Sequence, residues 1–193
     1  MKKGFSLIEL LVVVAIIGIL SAVGLTFYRG FTSVAKVNCS NSNHEEIWKE
    51  LTTKAQACSM GMNAFYGPFE DNWSPNSITL DCQFTPNGHA HPLSADSHAW
   101  NMYKQAIKKY KNCYNRNKKM FGGSSGKKAG WSNGTCSGIN ETNIDLGSSI
   151  LGYQGSPQLC SFGGDSFCLK TNVGDKEGNS KILSSQIDLC LLN

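Results

Sequence analysis

Charge and proline are scarce in this chain. Only 17% of its 193 residues are Asp, Glu, Lys or Arg, and none of its five prolines comes before Pro68. The first absence excludes a highly charged, disordered chain. The second means that nothing in the N-terminal third removes a backbone amide, so one very long helix is permitted there. No basic residue occurs between Lys3 and Arg29, and none of the eight cysteines falls in that stretch. The cysteines form no C-x-x-C pair, which argues against a zinc site. There is no G-x-S-x-G, no Walker-type glycine loop and no H-E-x-x-H, so the sequence offers no framework for an enzyme and no cofactor is expected. No internal repeat is visible.

What is present begins with MKKGFSLIELLVVVAIIGIL. The apolar run extends from Phe5 to Tyr28, roughly 36 Å as a helix, enough to cross a ~30 Å hydrocarbon core. Within it stands a single ionisable side chain, Glu9, whose carboxylate costs on the order of 2.5–3.5 kcal/mol at the centre of a membrane helix. A cleaved secretory signal would explain Lys2 and Lys3, but its apolar core runs only about 7–15 residues. A plain single-pass anchor explains the length and leaves Glu9 without a partner. A cut between Gly4 and Phe5 accounts for both. It creates an α-ammonium at Phe5, and a neighbouring helix shifted along its axis brings another chain's Phe5 amine to this Glu9. Glu9 then acts as a registration device between subunits.

MKKG followed by FSLIELLVVVAIIGIL resembles the N-terminal segment of type IV prepilins and the related secretion pseudopilins, over residues 1–30. The resemblance implies a membrane prepilin peptidase that cuts after Gly4 and methylates the Phe5 amine, with Glu9 pairing to a neighbour's N-terminus during assembly. It implies a homopolymer, with other pilins and an inner-membrane assembly machinery as further partners. The subunit would be single-pass in the inner membrane with its head outside the cytoplasm, and then part of an extracellular pilus or a periplasmic pseudopilus. Adhesion, motility and DNA uptake are the functions such a filament implies; a minor pilin or type II secretion pseudopilin is the alternative. One departure stands out. Many major pilins carry a proline around the position of Thr26, and here only Gly18, Gly24 and Gly30 loosen the helix, predicting a gentler curve or a glycine-based melted stretch.

Beyond the membrane-length run, Phe27, Phe31, Val34 and Ala35 keep a helical stripe, and Ile47, Trp48, Leu51, Ala55, Cys58 and Met62 resume it. His44, Glu45, Glu46, Lys49 and Glu50 are assigned to the opposite, solvated face. Gly61 and Gly67-Pro68 mark the end of this helix near Ser59. A strand is predicted over 77–84, turn chemistry at Pro86-Asn87-Gly88, a second helix over 97–113 and a flexible loop over 121–130. Further strands are expected at 149–154, 166–171 and 181–187, joined by turns at 163–165 and 174–178. The organisation is a leader at 1–4, a transmembrane and assembly helix at 5–28, its amphipathic continuation at 29–60, and a globular head at 61–193. The fold class is α+β: a long N-terminal helix packed on a small antiparallel-sheet head with disulfides.

Cys39, Cys58, Cys82, Cys113, Cys136, Cys160, Cys168 and Cys190 are read as a disulfide framework formed outside the cytoplasm. Cys39 and Cys58, nineteen residues apart on one helix, would lie about 28 Å apart and cannot bond to each other. Cys113–Cys136 and Cys160–Cys168 are the expected loop closures, with Cys190 tying down the C-terminus. Half of the 18 basic residues fall in one segment: Lys104, Lys108, Lys109, Lys111, Arg116, Lys118, Lys119, Lys127 and Lys128. No acid occurs between Asp96 and Glu141, and Tyr103, Tyr110, Tyr114 and Phe121 interleave. Such a segment suits nucleic acid or an anionic surface; the plainer reading is a solvated face whose charges meet carboxylates elsewhere. His89, His91 and His98 with Asp96 offer metal-ligand types without fixed spacing, and Asp175, Glu177 and Asn179 fit turn chemistry better than a calcium loop. Four N-x-[ST] matches, at Asn38, Asn72, Asn133 and Asn140, are as frequent as chance allows in so Asn- and Ser-rich a chain.

Overall fold

The computed structural model describes residues 6–69, 76–80, 95–121, 131–133, 136–154 and 166–188. Its first element is α1, Leu7–Ser59, an unbroken helix of 53 residues, about 80 Å long. Backbone hydrogen bonding runs through Gly18, Gly24 and Gly30, so the expected melted stretch is absent. Each glycine costs on the order of 1 kcal/mol relative to alanine, too little to break a cooperative helix in which no proline removes a donor. The helix stops as its sequence predicts. Gly61 adopts a left-handed φ of 75°, Gly61 N donates to Cys58 O at 2.9 Å and Met62 N to Ala57 O at 2.9 Å. These two bonds form a Schellman cap and satisfy two of the final carbonyls.

The head supplies α2, Ala95–Lys109, and two sheets. Strands β1, Ala64–Tyr66, and β2, Ile78–Leu80, pair antiparallel. The larger sheet has the order β3-β4-β5-β6, formed by β3, Trp131–Asn133, β4, Ser149–Gln154, β5, Ser166–Asn172, and β6, Ile182–Asp188. The three longer strands are antiparallel neighbours and fall where strands are expected, at 149–154, 166–171 and 181–187. Strand β3 joins β4 in parallel, so this sheet is mixed at one edge. The second helix also departs from expectation. It starts two residues earlier and ends four residues earlier than 97–113, because Asn112 Oδ1 accepts from the amides of Tyr114 and Asn115 at 2.8 and 2.9 Å. That side chain offers the backbone an alternative to the helical ladder.

The core lies where the lower half of α1, α2 and the sheets meet. Ile47, Leu51, Ala55 and Cys58 recur at helical spacing and are buried against Met102, Ala106, Leu151, Phe167 and Leu169. Trp48 packs edge-on against Phe167, with ring centroids 5.5 Å apart. A smaller cluster of Ile139, Ile144 and Ile150 surrounds the Cys136–Cys168 pair. Gly152 sits beneath it; a Cβ there would collide with Ile139.

The cysteine pairing overturns two of the expected loop closures. Cys39 bonds Cys113 with Cα atoms 6.0 Å apart, and Cys136 bonds Cys168 with Cα atoms 5.8 Å apart. The segment after α2 runs down α1 and delivers Cys113 to Cys39, away from Cys136. Strand β5 turns Cys168 inward onto the 3-10 turn Cys136–Gly138, so neither Cys113–Cys136 nor Cys160–Cys168 forms. Cys39 and Cys58 are both disulfide-bonded but not to each other. Cys82, Cys160 and Cys190 lie outside the described residues, as do the turns at 86–88 and 163–165, the predicted strand residues 81–84 and all of the 121–130 loop except Phe121.

Candidate functional site

From Leu7 to Phe31, α1 is exposed along its whole length. Its large apolar side chains from Leu7 to Phe31 are 49% to 82% exposed, which no soluble monomer sustains without a partner. Polar groups in this half are satisfied internally. Ser21 Oγ donates to Ile17 O at 2.7 Å and Thr26 Oγ1 to Val23 O at 2.8 Å, so both hydroxyls are compatible with lipid. Of the three site residues proposed here, Gly4 and Phe5 lie outside the described residues. Glu9 closes a capping box: its Oε2 accepts from Ser6 N at 2.9 Å, while Ser6 Oγ accepts from Glu9 N at 3.3 Å. The carboxylate therefore serves the helix's own first turn in the isolated subunit. The plain-anchor reading, which left Glu9 without any partner, overlooked this bond.

The lower half of α1 is fastened to the head by two polar assemblies, both built from residues that sequence reasoning placed on the solvated face. His44 is buried, with Nδ1 2.8 Å from Thr171 Oγ1 on β5 and Nε2 2.9 Å from Ser185 Oγ on β6. Burial holds its pKa below the ordinary value. The signal was present in the sequence, since His44 falls on the stripe of Ile47, Leu51, Ala55 and Cys58. Glu50 is the second fastener. Its Oε1 receives Lys54 Nζ at 3.0 Å, and its Oε2 receives Lys109 Nζ at 3.0 Å. Gln105 Nε2 from α2 completes the set. Burial raises the Glu50 pKa, but these hydrogen bonds outweigh it and leave the carboxyl below its usual range. Met62, assigned to the buried stripe, lies beyond the cap and is 52% exposed.

The basic segment is divided rather than gathered on one face. Lys104 is buried, its Nζ 4.2 Å from the Phe69 ring centroid. Lys109 is taken by Glu50, and Lys118 Nζ reaches Asp145 Oδ2 at 3.0 Å. Lys108 is exposed on α2. Lys111, Arg116 and Lys119 are exposed and form no ion pair among the described residues. Lys127 and Lys128 lie outside those residues, as do His89 and His91. His98 is fully buried with Nδ1 2.6 Å from Tyr66 Oη, a core contact rather than a ligand position. Asp175 is occupied by Asn179, whose N and Nδ2 donate to its two oxygens at 2.7 and 2.9 Å, as turn chemistry requires.

Comparison with known proteins bears on the same end of the molecule. Residues 1–25 match the family model of the prokaryotic N-terminal methylation motif. Over 38 residues the chain is 53% identical to the type IV major pilin protein PilE1 of Neisseria gonorrhoeae, covering 20% of this chain and 23% of that protein. It is equally similar, at 53% over 38 residues, to a fimbrial protein of Neisseria meningitidis serogroup B, covering 20% of this chain and 22% of that protein. The chain thus spans about a fifth of the length of these relatives. No solved structure matches it. The N-terminal residues thus match the prokaryotic methylation motif and are similar to the start of type IV major pilins, in a chain whose long helix packs on a small disulfide-bonded α+β head.

Proposed function

We propose that this chain is the structural subunit of a type IV pilus-like filament, held in the inner membrane by α1 before assembly and polymerising through that helix. The observation that carries the reading is the bare apolar half of α1, Leu7 to Phe31, with Glu9 as its one acid. Burying such a surface against neighbouring helices yields about 25 cal/mol for each Å² removed from water; within lipid, packing and the charge pair supply the drive instead. Processing after Gly4 by a prepilin peptidase would place a methylated Phe5 ammonium near the helix start. Glu9 then exchanges its Ser6 amide for the stronger, charge-assisted bond to a neighbour's N-terminus. No catalytic role is proposed.

The test is the mass of the chain's N-terminal peptide, taken both from membranes and from sheared surface filaments. The reading expects a peptide beginning at methylated Phe5, in filaments composed mainly of this chain. A peptide beginning at Met1 in both fractions overturns it. Filaments in which the chain is a trace component assign it to the minor pilins or pseudopilins.

A further inference from the structure

The end of the head nearest the apolar half of α1 is built from two interlocked turns. The segment leaving α2 descends α1 in step: Lys109 meets Glu50, Asn43 Nδ2 donates to Lys111 O at 3.0 Å, Cys113 bonds Cys39, and Lys36 Nζ lies 5.8 Å from the Tyr114 ring centroid. Residues 115–117 turn, and the chain climbs back so that Met120 Sδ also meets Asn43 at 3.8 Å. From the other side comes the turn between β5 and β6, where Ser33 Oγ donates to Lys176 O at 2.6 Å. Tyr114 Oη donates to Val173 O at 2.8 Å and joins the two turns. Gly174, with φ 68°, leaves no room for a Cβ beside that ring. This base is preorganised, so binding through it orders little.

Its height follows from the helix. Ser33 and Lys36 lie four and seven residues beyond Arg29, the end of the apolar run, hence about 6 and 10 Å along the axis. An arginine or lysine side chain spans most of that gap. Lys36 and Arg116 are exposed there without an ion pair among the described residues. Lys111 and Lys119 face each other across an antiparallel bridge level with Asn43, about 21 Å along the axis from Arg29 and so farther from the exit. Asp145 is held by Lys118, while Asp175, hydrogen-bonded by the neutral Asn179, and Glu177 keep their charges in the second turn, where Lys36, Arg116 and Lys176 outnumber them.

We infer that the base of the head docks on anionic lipid headgroups while the subunit is anchored, with Lys36 and Arg116 meeting lipid phosphates. This rests on the membrane-anchored precursor proposed above. Lipid is the partner favoured by position, because Lys36 and the 115–117 turn that carries Arg116 are the basic elements of this segment nearest the exit of the membrane helix, where an anionic surface attracts them. Docking orients the head, and extraction into a filament breaks it.

The experiment places the full chain in nanodiscs of phosphatidylcholine, with or without phosphatidylglycerol, with a dye on Asn117→Cys and a nitroxide quencher on the headgroups. Each basic side chain at an anionic surface multiplies the docked-to-free ratio about fivefold. Quenching should therefore be strong only with phosphatidylglycerol. It should fade at about 0.5 M salt and in the variant Lys36→Gln/Arg116→Gln, whose docked-to-free ratio falls about twenty-fivefold. Equal quenching in both lipids overturns the proposal, and if duplex DNA then shifts the protein, the base is a nucleic-acid surface instead. A chain that does not enter the discs removes the anchored reading and this inference together; one that enters without lipid-dependent quenching removes the inference alone.

Discussion

His98 carries the clearest consequence at the scale of single residues. It is fully buried beside Tyr66, and burial, reinforced by the charge of Lys54, pushes its pKa down to about 4. A histidine depressed in the folded state stabilises the fold above its unfolded value near 6.5, and that stability is lost as pH falls toward the folded value. His44 is depressed by burial in the same sense. The thermal midpoint should thus be flat above about pH 7 and fall between about pH 6.5 and 4, with roughly 3 kcal/mol lost through His98. Melting curves of His98→Phe should show a shallower acid limb; an unchanged limb refutes the assignment. Glu50→Gln should lower the unfolding free energy measured by denaturant titration by about 1 kcal/mol, modest because Lys109 is half exposed and solvent screens that pair. Little of this was visible in the sequence. His44 and Glu50 look like two polar residues among several on a charged helix, and only the stripe from His44 to Cys58 separates the first from its exposed neighbours.

At the scale of elements, the Cys39–Cys113 bond holds the segment after α2 against α1. It closes a sequence separation of 74 residues, for which chain entropy gives about 4 kcal/mol. Replacing both cysteines by serine should lower stability by about that amount and speed amide exchange in residues 110–121 more than in β4 or β5; uniform exchange throughout would contradict it. Elements with strong periodicity were legible. The α1 end at Ser59 follows from Gly61, and β4 occupies the expected stretch 149–154. Strands β1 and β3, three residues each, carry too little pattern to announce themselves and exist because a partner strand holds them. The disulfide partners were illegible for a related reason. Which cysteine meets which depends on the path of 110–121 down α1 and on which face of β5 turns inward, and both are tertiary facts.

For the whole molecule, the division is between a head that satisfies itself and a helix that does not. The lower half of α1 belongs to the core, while the upper half, Leu7 to Phe31, presents apolar surface with one acid capping its first turn. That division was legible from the apolar run, the MKKG that precedes it and the placement of Glu9. The account's central claim is that Glu9 registers one subunit against the next, and the direct measurement is the amount of filament sheared from cells carrying Glu9→Ala. The account predicts that the variant head stays folded, with Cys39–Cys113 formed, and that the chain stays in the membrane while filament yield falls at least tenfold, the loss of about 1.4 kcal/mol or more per contact in an assembly of many. Filaments at normal yield from Glu9→Ala cells would contradict it.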